Sequence, residues 1–176
     1  MKKYLYLFVC MVISLTFFVG CGNKNNSNSA IPKDTSKTAS SQPNETNDWE
    51  PSAHKTVNNF KGVTMTVKGE TASSTGLTIA FENNSGSQCI YGEYFCLEKK
   101  INGNWYQAPV IIDGNYGFDS IGYDLSSGDS GEWAVDWKWL YGSLDTGEYR
   151  IVKDILDFRG TGNYDTYYLA AEFQLL

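Results

Sequence analysis

Apolar and polar residues alternate along several short segments of this 176-residue chain, and this alternation limits the folds that the chain can adopt. Residues 63–67 are Val-Thr-Met-Thr-Val, and the same alternation recurs over 77–81, 133–137, 149–151 and 167–175. Successive side chains of a β-strand point to opposite faces, so each segment predicts a strand with one apolar face. A period of 3.6 residues is missing from every stretch of a dozen residues, which argues against helices. The sequence therefore predicts an all-β fold.

A further apolar run, 91–97, leads to Asn102-Gly103, the dipeptide that two-residue type I′ hairpins favour. Trp105 and Tyr106 then lie on a returning strand, which brings the total to seven strands. The 26 aromatic residues and 17 glycines are typical of aromatic-rich strands joined by glycine turns. A two-layer antiparallel sandwich is the simplest arrangement that buries one face of each strand.

One local motif indicates which sandwich to expect. Asp145, Gly147 and Tyr149 have the Asp-x-Gly-x-Tyr spacing of the immunoglobulin tyrosine corner, in which the tyrosine hydroxyl binds nearby backbone at the start of strand F. Ile151 then occupies the place of the second disulfide cysteine, and Ile79 the place of its partner. We predict an immunoglobulin-like sandwich of about seven strands with aliphatic packing instead of the disulfide; the alternative is a generic glycine turn.

Three segments of the C-terminal half resemble the signature segments of a bacterial Ig-like domain that is found in small lipoproteins and secreted proteins. They cover residues 136–142, 147–153 and 167–173. The likeness extends over about 63–173. The resemblance implies an immunoglobulin-like sandwich without catalytic residues or cofactors.

The N-terminus has the features of an export signal. Lys2 and Lys3 precede an apolar run over 4–19 that is shorter than a membrane-spanning helix requires. Phe18-Val19-Gly20-Cys21 resembles the lipobox of bacterial lipoproteins, which implies that Cys21 receives a diacylglyceryl thioether and becomes the mature N-terminus. We expect residues 1–20 to be a lipoprotein signal peptide and the protein to be held on the outer face of the bacterial cell membrane. The alternative is an ordinary cleaved signal.

Residues 21–56 form a predicted disordered linker that precedes the domain at 57–176. Six Ser, six Asn, four Thr and three Pro lie within 22–56, and such a composition cannot bury enough apolar surface to offset the entropy of ordering. A flexible tether of this length spans on the order of 30–35 Å. The only histidine, His54, is placed in this tether, which leaves no imidazole base for a nucleophilic hydrolase in the domain.

The predicted domain is acidic. Residues 57–176 contain eight basic and 16 acidic residues, a net charge of −8. Because phosphate recognition depends on clustered Lys and Arg, nucleic-acid binding is not expected.

Metal and thiol chemistry have weak sequence support. Cys89 and Cys96 are the only soft ligands expected in the domain, where a structural zinc site normally needs four, so no metal is predicted. Their spacing places them on opposite faces of a continuous strand, which favours two free, buried thiols; the alternative is a disulfide formed across a bulge at Gly92. Residues 113–124 partly match a calcium loop, but Phe118 stands where glycine is needed, which favours a solvated loop.

The aromatic residues between 133 and 141 supply the candidate ligand-binding residues. Trp133, Val135 and Trp137 are expected in the core, and Trp139 and Tyr141 continue the same strand face beyond a typical strand length. The latter two either cap the end of the sandwich, which we favour, or form an exposed platform.

The sequence thus predicts a monomeric, lipid-anchored, non-catalytic interaction module that recognises a cell-surface protein. The alternative is a carbohydrate-binding module that uses exposed aromatics, and an acidic-site hydrolase is a more distant possibility. No cofactor is expected.

The lipobox resemblance can be tested directly. Replacing the cysteine, Cys21→Ala, removes the sulfur that forms the thioether, so incorporation of labelled fatty acid is expected to disappear. A variant that is still labelled would contradict the anchor.

Overall fold

A computed structural model describes residues 49–176. The predicted signal peptide, Cys21 and the linker up to residue 48 lie outside the described residues. Within the described part, no helix is sufficiently long and apolar to cross a membrane.

The described part of the chain is almost entirely β-structure, as predicted. A one-turn helix, α1 (Lys138–Tyr141), and a 3₁₀ turn at Gly69–Thr71 are the helical elements there. The strands are β1 (Val63–Val67), β2 (Gly76–Asn83), β3 (Cys89–Tyr91), β4 (Cys96–Ile101), β5 (Asn104–Gln107), β6 (Tyr123–Leu125), β7 (Ser130–Asp136), β8 (Gly147–Phe158) and β9 (Tyr164–Leu175).

The strands form two antiparallel sheets. The smaller sheet has the order β1-β2-β7. In the larger sheet, β8 pairs along its whole length with β9 on one side and with β3 and β4 on the other, while β6 and β5 pair with β3 and β4. The predicted all-β antiparallel sandwich is confirmed, with β6 and the division of 91–97 as the departures from the expected strands.

The strand expected over 91–97 is interrupted by a bulge. Between the pairs Ile90–Leu156 and Cys96–Val152, β8 advances by four residues and the partner chain by six. Two extra residues therefore lie between β3 and β4, opposite the middle of β8. Inserting two residues preserves the alternation of faces, so Phe95 and Leu97 still point into the core.

Lys153, at the middle of β8, explains this bulge. Its side chain is completely buried, and its ammonium group donates hydrogen bonds to the carbonyl oxygens of Gly92 and Tyr94. The nitrogen also lies 4.1 Å from the ring centroid of Trp133. A buried ammonium needs such acceptors, and the bulge provides two carbonyls that a regular ladder would use between strands.

The core lies between the two sheets. Ile79 and Ile151, the residues predicted at the disulfide positions of an immunoglobulin domain, are both completely buried in it. Trp133, Val135 and Trp137 are also buried there, as expected.

The expected continuation of β7 through residue 141 is wrong. The strand ends at Asp136, whose carboxylate accepts a hydrogen bond of 2.8 Å from the backbone N–H of Lys138. The chain then turns into α1, where the N–H of Tyr141 donates to the carbonyl of Trp137. Gly142, with φ of 71°, ends the helix. The carboxylate of Asp136 thus accepts the hydrogen bond that the N–H of Lys138 would donate to a neighbouring strand if β7 continued.

Burial of Lys153 gives a prediction about pH. Desolvation lowers the pKa of Lys153 from 10.5 to about 8, so between about pH 8 and 10.5 the unfolded chain binds a proton that the folded protein does not. The lysine's contribution to the free energy of unfolding is therefore expected to rise with pH, by up to about 1.4 kcal/mol per pH unit.

The measurement is urea denaturation of wild type and Lys153→Met between pH 7 and 10.5. Buried Cys and Tyr side chains with raised pKa oppose the trend, but they are present in both proteins and cancel in the difference. If the free energies of unfolding of the two proteins change equally with pH, the ammonium is not desolvated as described. An NMR titration in which Lys153 has the ordinary lysine pKa would show the same.

Candidate functional site

Four aromatic side chains from different parts of the chain form a surface cluster, which we call the aromatic patch: Tyr94, Tyr116, Phe118 and Trp139. Three of them are well exposed, Tyr94 at 39%, Tyr116 at 47% and Trp139 at 45%. The ring centroids of Phe118 and Trp139 are 5.7 Å apart, and those of Tyr94 and Phe118 are 5.5 Å apart. Partly buried Phe118 connects the patch to the core through Phe95.

Local structure holds the patch together. Tyr94 lies in the bulge opposite Lys153, Tyr116 and Phe118 lie in the loop before β6, and Trp139 lies on α1. The loop is joined to α1 by a hydrogen bond of 2.9 Å from the N–H of Ile111 to the carbonyl of Leu140. The neighbouring rings meet edge to face, with Trp139 inclined at 73° to both Tyr116 and Phe118.

The structure separates the two candidate binding residues. Trp139 projects from α1 into the patch, whereas Tyr141 is 8% exposed and belongs to the core. The hydroxyl of Tyr141 accepts a hydrogen bond of 3.3 Å from the N–H of Leu97. The capping role that we favoured for both residues therefore applies to Tyr141. For Trp139 it is wrong, because Trp139 is a surface residue.

The predicted tyrosine corner lies at the start of β8. Gly147 has φ of 152°, a backbone conformation that residues with a side chain rarely adopt, which explains the need for glycine. Tyr149 is buried and its ring stacks on Phe173 at 5.8 Å. The corner with Asp145 stays a prediction.

A second group of residues lies on the outer face of the larger sheet and is polar. We call it the outer-face cluster: Ser52, His54, Cys96, Glu98 and Arg150. Glu98 and Arg150 are directly opposite each other on β4 and β8. Nε of Arg150 lies 2.6 Å from Oε2 of Glu98, and both side chains are buried. The guanidinium also lies 4.6 Å from the ring centroid of Trp105, which shields the pair from water.

Residues 49–56 cover this ion pair. Pro51 pairs with Tyr106, and the N–H of Ser52 donates to the carbonyl of Trp105 over 2.9 Å. The hydroxyl of Ser52 donates to Oε1 of Glu98 over 2.6 Å. This segment, assigned to the linker from its composition, is therefore attached to the domain by polar contacts.

The prediction that His54 lies in the tether, away from the domain, is wrong. Its imidazole packs on the ring of Tyr168 at 4.6 Å, and its carbonyl accepts a hydrogen bond from Arg150. The argument that the folded domain lacks an imidazole loses its basis. The contacts of His54 are with residues 96 and 114 positions farther along the chain, so no local sequence signal indicated them.

Cys89 and Cys96 are free thiols, not a disulfide. Cys89 pairs with Asp157 and faces the core, whereas Cys96 pairs with Val152 and faces outward, so the bulge does not bring them together. Burial, with the charge of Glu98, raises the pKa of Cys96 to about 12, and burial also raises the pKa of Cys89. Both thiols are therefore protonated near neutral pH, unlike an activated nucleophile.

The only group of three or more metal-ligating side chains within residues 49–176 is His54, Cys96 and Glu98, whose ligand atoms all lie within 4.8 Å of one another. The acidic loop predicted to be solvated does not gather its carboxylates in this way. Asp113 and Asp119 are exposed, and Asp124 accepts a hydrogen bond from Gln88.

Comparison with known proteins agrees with this architecture. The family model of the bacterial Ig-like domain matches residues 59–174, which cover β1 to β8 and all of β9 except its last residue. The chain belongs to this bacterial Ig-like family. Neither a curated protein nor a solved structure matches it. In this Ig-like domain, the match begins after His54 and Ser52, so the segment that covers the ion pair lies outside the family's own boundaries.

The ion pair of the Ig-like domain is expected to be coupled. Arg150→Met leaves the carboxylate of Glu98 buried without its cation, which typically costs about 3–5 kcal/mol of unfolding free energy. Adding Glu98→Leu removes the unpaired charge and is expected to recover most of this loss. Urea denaturation of the single and double variants measures both effects.

Lys100→Met is the matched control, because Lys100 forms a more exposed ion pair with Glu148 over 3.4 Å. It is expected to cost less than about 1 kcal/mol. A double variant no more stable than Arg150→Met would be inconsistent with a coupled pair.

Proposed function

We propose that this protein is a non-catalytic interaction module, displayed on the outer face of a bacterial membrane by a lipid on Cys21, and that the aromatic patch is its contact surface. The exposure of Trp139 among three other aromatic rings is the observation that carries the proposal. Clustered exposed aromatics are uncommon on surfaces that bind nothing, and Trp and Tyr supply a large share of binding energy at protein interfaces.

The geometry favours a protein partner over a carbohydrate. Rings that stack on a polysaccharide lie nearly coplanar along a flat platform, but Trp139 is inclined at 73° to both of its neighbours in the patch. Inclined rings leave concave edges between them, into which side chains of a partner fit. Carbohydrate binding by the exposed face of Trp139 remains the second candidate.

The charge around the aromatic patch indicates which sign of charge the partner's surface carries. Asp113 and Asp119 are exposed on the same loop as Tyr116 and Phe118, and residues 57–176 carry a net charge of −8. Like charges across an interface are costly, so a neutral or basic surface fits better than an anionic one.

The proposed lipid anchor would attach the protein to the membrane, and the linker would place the domain at a distance from it. Acyl chains contribute about 0.8 kcal/mol per buried CH₂, and two chains hold a protein on a membrane stably where one does not. The polar residues that follow Cys21 would then hold the domain clear of the lipid headgroups.

Trp139→Ala is expected to abolish capture of partner proteins from a cell-surface extract by the immobilised full chain. Because Trp139 is exposed, the same change is expected to alter the free energy of unfolding by less than about 1 kcal/mol. Tyr141→Ala, in contrast, truncates a core ring and is expected to cost about 3–5 kcal/mol. Capture is read by mass spectrometry and stability by denaturation.

Tyr164→Ala is the matched control for capture, because Tyr164 is 50% exposed on β9, outside the patch. Equal capture by wild type, Trp139→Ala and Tyr164→Ala would exclude the patch as the contact surface. Binding to purified glycans that is lost only in Trp139→Ala would instead establish the carbohydrate-binding alternative.

A further inference from the structure

The outer-face cluster combines three different ligand types at the junction between the N-terminal segment and the sheet. We propose that His54, Cys96 and Glu98 bind a divalent transition metal of the zinc class. An imidazole nitrogen, a thiol sulfur and a carboxylate oxygen are the donors that Zn²⁺ uses in proteins, and the sulfur and nitrogen disfavour Mg²⁺ and Ca²⁺.

The spacing of the donors suits a single ion. Their ligand atoms lie within 4.8 Å of one another. A tetrahedral centre with Zn–N of about 2.0 Å and Zn–S of about 2.3 Å places its ligand atoms about 3.3–3.8 Å apart. The three donors therefore need to close by no more than about 1.5 Å. His54 lies on the short segment that precedes the first strand, so its ring can make this movement without disturbing the sheet.

Two of the donors are held by regular structure. Cys96 and Glu98 are two residues apart on β4, so both side chains project from the outer face of the sheet. Glu98 is completely buried, with Arg150 on Oε2 and the hydroxyl of Ser52 on Oε1. Ligating carboxylates are usually oriented by such outer partners, and each oxygen retains a second lone pair for a metal.

His54 is held on both sides but keeps its nitrogens available. Its ring rests on Tyr168, and its backbone binds the hydroxyl of Ser52 and the guanidinium of Arg150. Among the described residues, neither imidazole nitrogen makes a hydrogen bond. A buried face with free ring nitrogens is what a ligating histidine requires.

Metal binding changes the protonation of one donor. The thiol of Cys96 loses its proton to solvent, and the resulting thiolate donates an electron pair to the ion without any change of oxidation state. The thiolate adds one negative charge beside the existing ion pair of Glu98 and Arg150, so the ion and these three groups together carry one net positive charge, with Arg150 outside the coordination shell. Three protein ligands leave the fourth position to water or to another ligand from the adjoining cavity of about 320 Å³, which His54, Trp105 and Arg150 help to line.

Binding would join the N-terminal segment to the sheet. His54 belongs to the segment that leads from the linker, and Cys96 and Glu98 belong to the larger sheet. An ion that binds the folded arrangement raises the thermal midpoint by mass action. The proposed site thus fixes the point at which the linker leaves the domain, and it adjoins the aromatic patch, because the side chains of Cys96 and Tyr94 are hydrogen-bonded to each other.

Titration of the reduced full-length protein with Co²⁺ tests the site, because Co²⁺ accepts the same ligands as Zn²⁺ and shows a charge-transfer band when bound to thiolate. Wild type is expected to show a saturable band that Zn²⁺ displaces. Cys96→Ser is expected to lose the band, and His54→Gln to weaken Co²⁺ binding by at least about tenfold. Cys89→Ala, which removes the core thiol instead, is expected to retain both.

The thermal midpoint supplies the second measurement. Zn²⁺ is expected to raise the midpoint of wild type and Cys89→Ala but not that of His54→Gln. The proposal is overturned if wild type shows no saturable Co²⁺ binding, or if Cys96→Ser and His54→Gln bind Co²⁺ as wild type does.

Discussion

A single buried cation organises the interior of this sandwich. Lys153 lies at the middle of the central strand β8, where an immunoglobulin core normally has only apolar side chains. Its ammonium needs acceptors, and the carbonyls of Gly92 and Tyr94 are available only because the neighbouring strand is interrupted there. Trp133 from the opposite sheet covers the charge. The bulge, the placement of Tyr94 on the surface and the packing between the sheets all follow from this one group.

The two faces of the larger sheet use charge in different ways. Toward the core, Lys153 is held by backbone carbonyls and aromatic rings, and none of the carboxylates within residues 49–176 forms a salt bridge with it. On the outer face, Arg150 is paired with Glu98 and covered by Trp105 and the N-terminal segment. Two positions of one strand, three residues apart, therefore bury cations on opposite sides, and the middle of β8 is buried on both faces. This is unusual for an antiparallel sheet, where one face normally contacts water.

The regular part of this architecture could be predicted from the sequence because it is local. Alternation identifies β1, β2, β7, β8 and β9. The same rule failed where a local change left the alternation intact: the two-residue bulge keeps Tyr91 and Phe95 in phase, and Trp139 keeps the parity of β7 although Asp136 has already turned the chain. His54 was misplaced for another reason, since polar contacts between distant segments leave no pattern in composition.

The segment before the sandwich also affects how the domain meets its neighbours. β5 ends the larger sheet, and its outward backbone groups would be free to pair with a strand from another molecule. Glu50 and Ser52 occupy these groups, and Pro51 between them cannot donate a hydrogen bond to any further strand. At high local protein concentration, open sheet edges promote aggregation. The N-terminal segment thereby protects this edge of the sheet against pairing with a strand of another molecule.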